Sequence, residues 1–295
     1  MATNTNKWLI GCGIGCVTVI IIAGVVVGGG FLCVKSAVNT IQTTEQSQKE
    51  LQRQYGGIAE YVPNLDGSIA PSRMEAFLAV RARLAEIHPD LVQTFETLPH
   101  EGLRDRATSV RELLKLVKTA SSVLPLIADY IQTRNEALMN KEMGFGEYFY
   151  IHTIGYHSYL GFSPSDGPET DVQDTTEKES DVKVRLFDKD STFGHGPAGE
   201  RYRRNMLTLL CNQRNAVPMA SATTEEKELI AAVDAEIAAM ERNRQRVPWE
   251  DSLPPAIERS LEPYRDQLKQ SYCKTANIFD LFSPQNDDWE FEFDK

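Results

Sequence analysis

The residues in this chain best suited to chemistry are Glu147, Tyr148, His152, Tyr156 and His157. Tyr148, His152 and Tyr156 recur at steps of four, so one helix face carries an imidazole between two phenols. Such a set can pass protons, with histidine as the group that titrates near neutral pH. Glu147 and His152 stand five apart, as do His152 and His157. On an α-helix that spacing turns the side chains about 140° from each other. Metal-binding pairs want three or four, so no metal is expected here. The competing reading is a packed aromatic helix whose hydroxyls and imidazole satisfy one another. A deep pocket joining His152 to Glu147, or to Glu142 from another turn, would favour catalysis.

The other constellations are weaker. Asn64-Leu65-Asp66-Gly67-Ser68-Ile69 has the middle of a calcium-binding loop, with glycine at the sharp turn. Its outer ligand positions fall on Val62 and Arg73, where acids are required. A turn before a helix accounts for Asp-Gly equally well. Arg201, Arg203 and Arg204 form a basic knot that opens a helix, where cations oppose the helix dipole. Partners from the acidic stretch upstream are the expected explanation; an anionic ligand is the alternative. Trp289, Phe291 and Phe293 alternate with acids at the end of the chain, the pattern of a short segment that docks in a groove or adds as a strand. No GxSxG, P-loop, HExxH or kinase-like series occurs. No catalytic, cofactor or metal residue is assigned, and no cofactor is expected.

These residues sit in a chain whose plainest feature is apolar. Trp8 to Val34 contains no charge and is bounded by Lys7 and Lys35. At about 1.5 Å per residue the run measures roughly 40 Å, against a hydrocarbon core of about 30 Å. It is too long for a secretory signal core and lacks a good cleavage site. The expectation is an uncleaved, single-pass signal anchor over 8–34 that includes Phe31, with Trp8 at one interface and a short tail, 1–7, inside the cell. The head would then be extracytoplasmic. Gly11 with Gly15 and Gly24 with Gly28 fit the small-xxx-small spacing that lets membrane helices approach, which suggests a homodimer.

After the anchor a helical stalk is expected over 35–55. Ala37, Ile41, Thr44, Gln48, Leu51 and Tyr55 alternate steps of four and three, a coiled-coil seam with a polar centre. Residues 56–282 form the head. Ser72-Arg73-Met74-Glu75 reads as a capping box opening a helix with Met74, Phe77, Leu78, Arg81, Leu84 and Ile87 on one side. A short helix follows Pro89. Leu103 to Met139 is the strongest helical run, with Pro125 inside it. Residues 163–199 are too polar to bury a core and read as a flexible acidic loop. Helices resume near Ala198, at a second capping box beginning at Thr223, and after Pro255, where Pro263 bends the last one. An acidic-aromatic tail occupies 283–295.

The fold class is therefore all-α: anchor, stalk and an irregular helical-bundle head with one core. The net charge is -11, so a nucleic-acid partner is excluded on charge. Of five cysteines only Cys211 and Cys273 lie in the head, and spacing leaves their pairing open. The function that fits is a non-enzymatic interaction or scaffolding module at the membrane with a protein partner. The alternatives are a membrane-tethered enzyme using Tyr148, His152 and Tyr156, or a ligand-sensing domain coupled through a partner.

Overall fold

The computed structural model of the chain describes residues 30–96, 110–167 and 197–281. Among these residues every regular element is helical and there is no strand.

The first helix, α1, runs Gly30–Tyr55. It ends where Gly56 takes a positive φ of 73°, a left-handed stop that glycine adopts without a Cβ penalty. The seam residues Thr44, Gln48 and Leu51 are fully buried. They face α4, Val110–Asn140, along which α1 packs. Thr44 Oγ1 donates to the Ala128 carbonyl at 3.2 Å, Asn135 Nδ2 to Ser47 Oγ at 3.1 Å and the Tyr55 hydroxyl to the Met139 carbonyl at 3.3 Å. The seam is thus read correctly as a packing stripe, but from Thr44 onward its partner is this chain's own helix. The stalk expected over 35–55 is therefore, from Thr44 onward, packed on the head.

The expectation of a single-pass membrane protein with an extracytoplasmic head is also corrected. Among the described residues no helix is long and apolar enough to cross a membrane. Trp8, Gly11, Gly15, Gly24 and Gly28 lie outside the described residues; Phe31 falls in the first turn of α1.

Helix α2, Pro71–Ala85, begins with Pro71 in its first turn after Ala70, with no side-chain cap. The expected Ser72–Glu75 box does not form, because the pre-set φ of Pro71 starts the helix two residues earlier. Its buried side holds Met74, Phe77, Val80, Arg81 and Leu84. Helix α3 is His88–Glu96. Pro125 lies inside α4 without ending it. The aromatic segment forms α5, Phe145–His152, and continues as a π-helical turn over Thr153–Tyr159.

Helices α6, Pro197–Arg214, and α7, Thr224–Arg242, pair with each other. The Thr223 box forms as read: Thr223 Oγ1 accepts from Glu226 N while Glu226 accepts from Thr223 N. Helix α8, Pro255–Leu261, breaks at Pro263 into a 3₁₀ turn, Glu262–Tyr264, before α9, Arg265–Ser271. A four-residue helix, α10, Asn277–Asp280, closes the described chain.

One contiguous core joins both helical sets, from Leu51, Phe77 and Tyr148 to Met206, Met240, Leu268 and Phe279. The acidic loop is described only at its ends. There Asn277 Nδ2 donates to the carbonyls of Pro164 at 3.1 Å and Asp166 at 2.9 Å, and the Tyr272 hydroxyl donates to Asp166 Oδ2 at 2.7 Å. Cys211 and Cys273 are both free thiols.

Candidate functional site

Helix α5 and the π turn that continues it do place Tyr148, His152 and Tyr156 together. The ring centroids of Tyr148 and His152 are 5.9 Å apart, and those of His152 and Tyr156 are 4.8 Å apart. His157 joins them, its ring centroid 5.4 Å from that of His152. The α-helical divergence expected for residues five apart is overturned here because the turn is π. Its wider i→i+5 winding returns the fifth residue to the same face. Leu160 N donates to Gly155 O at 3.2 Å, one bond of that wider pattern.

The carboxylate that reaches this face is neither Glu147 nor Glu142. Glu147 forms a bidentate pair with Arg73, both contacts at 2.6 Å, and the Glu142 carbonyl accepts from the same guanidinium at 3.1 Å. The acid is Asp280, carried in by α10. Its Oδ1 accepts from the Tyr130 and Tyr148 hydroxyls, each at 2.7 Å. Its Oδ2 lies 2.6 Å from Arg81 Nη1 and 3.5 Å from His152 Nε2. Arg81 also donates to the Tyr148 hydroxyl at 2.9 Å and to the Ser271 carbonyl at 3.1 Å, and lies over the Tyr156 ring at 5.4 Å. Arg134, from α4, donates to the carbonyls of Phe279 at 2.8 Å and Asp280 at 3.3 Å. Arg81, Tyr130, Arg134, Tyr148, His152 and Asp280 are all fully buried.

Burial opposes charge on every member, and the pairing decides who keeps it. For Asp280 burial is outweighed by Arg81 and by the bonds from His152 and Tyr130, so its carboxyl titrates well below the usual range. For Arg81 burial is outweighed by Asp280 and the surrounding tyrosines, so its guanidinium is held more firmly protonated than usual. Arg134 is pulled below the ordinary arginine value by burial. His152 is lowered, first by burial and against the pull of Asp280. His157 is lowered to about 3 by burial and then by His152; its Nδ1–H donates to the Phe162 carbonyl at 3.0 Å. The Tyr130 and Tyr148 hydroxyls are raised by burial, then respectively by Asp280 and against Arg81. At neutral pH the cluster is thus a carboxylate paired with the Arg81 guanidinium, with Arg134 on the adjoining backbone carbonyls and neutral phenols and imidazoles around them.

Two surface hollows are open and shallow. One of about 340 Å³ lies beside Asp66, Ser68, Arg259 and Tyr264. The other, of about 480 Å³, runs along α6 past Glu200, Arg203, Arg204, Leu207 and Cys211. Neither touches the Asp280 cluster. Asp66 closes its own turn, Oδ1 accepting from Ser68 N at 3.0 Å and Ser68 Oγ at 2.7 Å, which explains the Asp-Gly sequence without calcium. Among the described residues no three metal-ligating side chains converge.

The basic knot lies in the second turn of α6. Arg203 donates to the Met240 carbonyl at 3.2 Å and stands 3.9 Å from Glu200, which also pairs with Arg244 at 2.9 Å. Arg204 is exposed along the hollow and Arg201 is half-buried. Trp289, Phe291 and Phe293 lie outside the described residues.

Sequence reasoning put Arg81 on an apolar helix side and passed over Tyr130, Arg134 and Asp280. A signal existed. Arg81 lies between Phe77 and Leu84, and Asp280 between Phe279 and Leu281; a charge on an apolar stripe needs a buried partner. No family model, no curated protein and no solved structure matches the chain.

Proposed function

We propose that the chain is a non-enzymatic protein-interaction module, a rigid helical head that holds or recruits another protein. The observation that supports this most is the closure of the Asp280 cluster. The groups with the strongest chemistry are spent on one another inside the core, and neither surface hollow reaches them. A proton shuttle through Tyr148, His152 and Tyr156 would need a substrate within about 3 Å of the imidazole.

The outer surface offers a place to begin. Among the described residues Val62 and Met219 are the exposed large apolar side chains, at 52% and 49%. They belong to segments joined at the end of α6, where Asn212 Nδ2 donates to the carbonyls of Ala59 and Tyr61, both at 2.9 Å. Gln213 Nε2 adds a bond to the Leu65 carbonyl at 3.0 Å. An exposed apolar side chain on a hydrogen-bonded frame is the form that an interface anchor takes.

The test places a photo-reactive residue at 62 or at 219 in the full chain. The expected result is a discrete cross-linked species that Val62→Asp or Met219→Asp removes while the unfolding transition stays in place. The reading fails if neither position cross-links above a control at exposed Arg242. It also fails if the purified chain shows a turnover that His152→Ala abolishes with the fold intact.

A further inference from the structure

We propose that the pocket built by α2, α4 and α5 is a recognition site for an aromatic–aspartate peptide segment, occupied in this structure by the chain's own Phe279-Asp280. This deepens the interaction-module reading and rests on it. The donors all come from helices that precede the acidic loop: Arg81 from α2, Tyr130 and Arg134 from α4, Tyr148 and His152 from α5. The occupant arrives on four residues of helix at the end of the described chain.

Its mode of contact is that of a bound peptide. Arg134 reads two successive backbone carbonyls. Arg81 and two tyrosines read one carboxylate. The Phe279 ring stacks on Phe95 at 5.8 Å and lies 6.3 Å from Tyr130. Main-chain capture, one charged anchor and one aromatic anchor are the ingredients of peptide recognition.

Two further observations favour an exchangeable contact over a fixed one. A buried ion pair is seldom a better stabiliser than apolar residues of the same volume, and its best-attested use is specificity. The pocket also holds a donor that Asp280 leaves unused: Arg81 Nε is buried with no hydrogen-bond partner. A second segment presenting a carboxylate and an additional acceptor would satisfy a donor that the resident segment does not.

The experiment titrates a dye-labelled peptide of residues 275–281 into the full chain and into its Asp280→Asn variant, which weakens the resident occupant. The expected result is saturable binding at least tenfold tighter to Asp280→Asn than to the native chain. The same peptide carrying Phe279→Ala or Asp280→Asn should lose at least tenfold. No saturable binding to a folded Asp280→Asn chain overturns the proposal, whatever the cross-linking at Val62 and Met219 shows, and those cross-links would keep the broader reading. If Asp280→Asn does not fold, hydrogen exchange on the native chain decides. Amides of 277–281 opening at least tenfold more often than those of α2, α4 and α5 support an exchangeable segment. Exchange of 277–281 only through global unfolding overturns it.

Discussion

At the scale of single residues, the two tyrosines on Asp280 have different numbers of obligations. Tyr130 makes one bond, to Asp280 Oδ1. Tyr148 donates to the same oxygen and accepts from Arg81. A hydrogen bond to a charged group contributes about 1.5–3 kcal/mol. Tyr130→Phe is therefore expected to lower stability by about that amount. Tyr148→Phe should cost about 1 kcal/mol more, because it also strips one acceptor from a buried guanidinium. Urea unfolding at constant m separates the two. Equal midpoints would show that the Arg81–Tyr148 bond contributes nothing. The same residue scale explains what reading the sequence missed. Tyr148 and His152 are visible because they lie four apart on one helix. Their true partners, Arg81 and Asp280, are distant in sequence and meet only in the folded chain; local pattern marks each as a charge on an apolar stripe but cannot pair them.

At the scale of elements, helix spans were legible wherever local signals and burial agree. Thr223 and Glu226 carry their cap in four residues, and Pro263 breaks its helix by geometry alone. Ser72 and Glu75 misled because Pro71 is a stronger start signal than the box. The π turn at Thr153–Tyr159 was illegible, since nothing in a six-letter spacing separates π from α winding. Two glycines make the element scale testable. A Cβ on Gly146 would stand 2.5 Å from the Gly57 carbonyl oxygen, a backbone atom of the loop after α1. Gly146→Ala must push α5 away from that loop and is expected to cost about 1–3 kcal/mol. A Cβ on Gly155 would meet only Leu268 side-chain atoms, at 3.5 Å or more. Gly155→Ala removes unfolded-state freedom without a clash and should stabilise by about 0.4–1 kcal/mol. Thermal unfolding of the pair should therefore move in opposite directions, by about 2–4 °C per kcal/mol. A loss at Gly155→Ala would mean that the π turn itself depends on glycine.

At the scale of the whole molecule, one core joining the helices on both sides of the acidic loop was legible from their amphipathic patterns. The polar centre of that core was not, and it governs how the molecule responds to acid. Three histidines are held neutral by the fold. His157 is lowered to about 3, by burial first and then His152; His88 is lowered to about 4, by burial first and then Arg81; His152 is lowered chiefly by burial. An unfolded histidine titrates near 6.5. Below that pH the unfolded chain binds protons that the native chain refuses, so stability is complete above about 6.5 and falls as the pH drops. Each excluded proton steepens the fall by about 1.4 kcal/mol per pH unit. The decline continues until the folded histidines accept protons, beginning with half-buried His88 near 4. Asp280 acts in the same direction but lower. Its folded carboxyl titrates below the unfolded value, so its contribution is intact above about 3.9 and is lost beneath it. Urea midpoints taken at steps from pH 7.5 to 4.5 should hold level to about 6.5 and then fall progressively. His157→Asn, which keeps a donor for the Phe162 carbonyl and removes the titration, should flatten that slope by about one third. A midpoint unchanged between pH 7 and pH 5 would mean that the imidazoles charge within the fold rather than staying neutral.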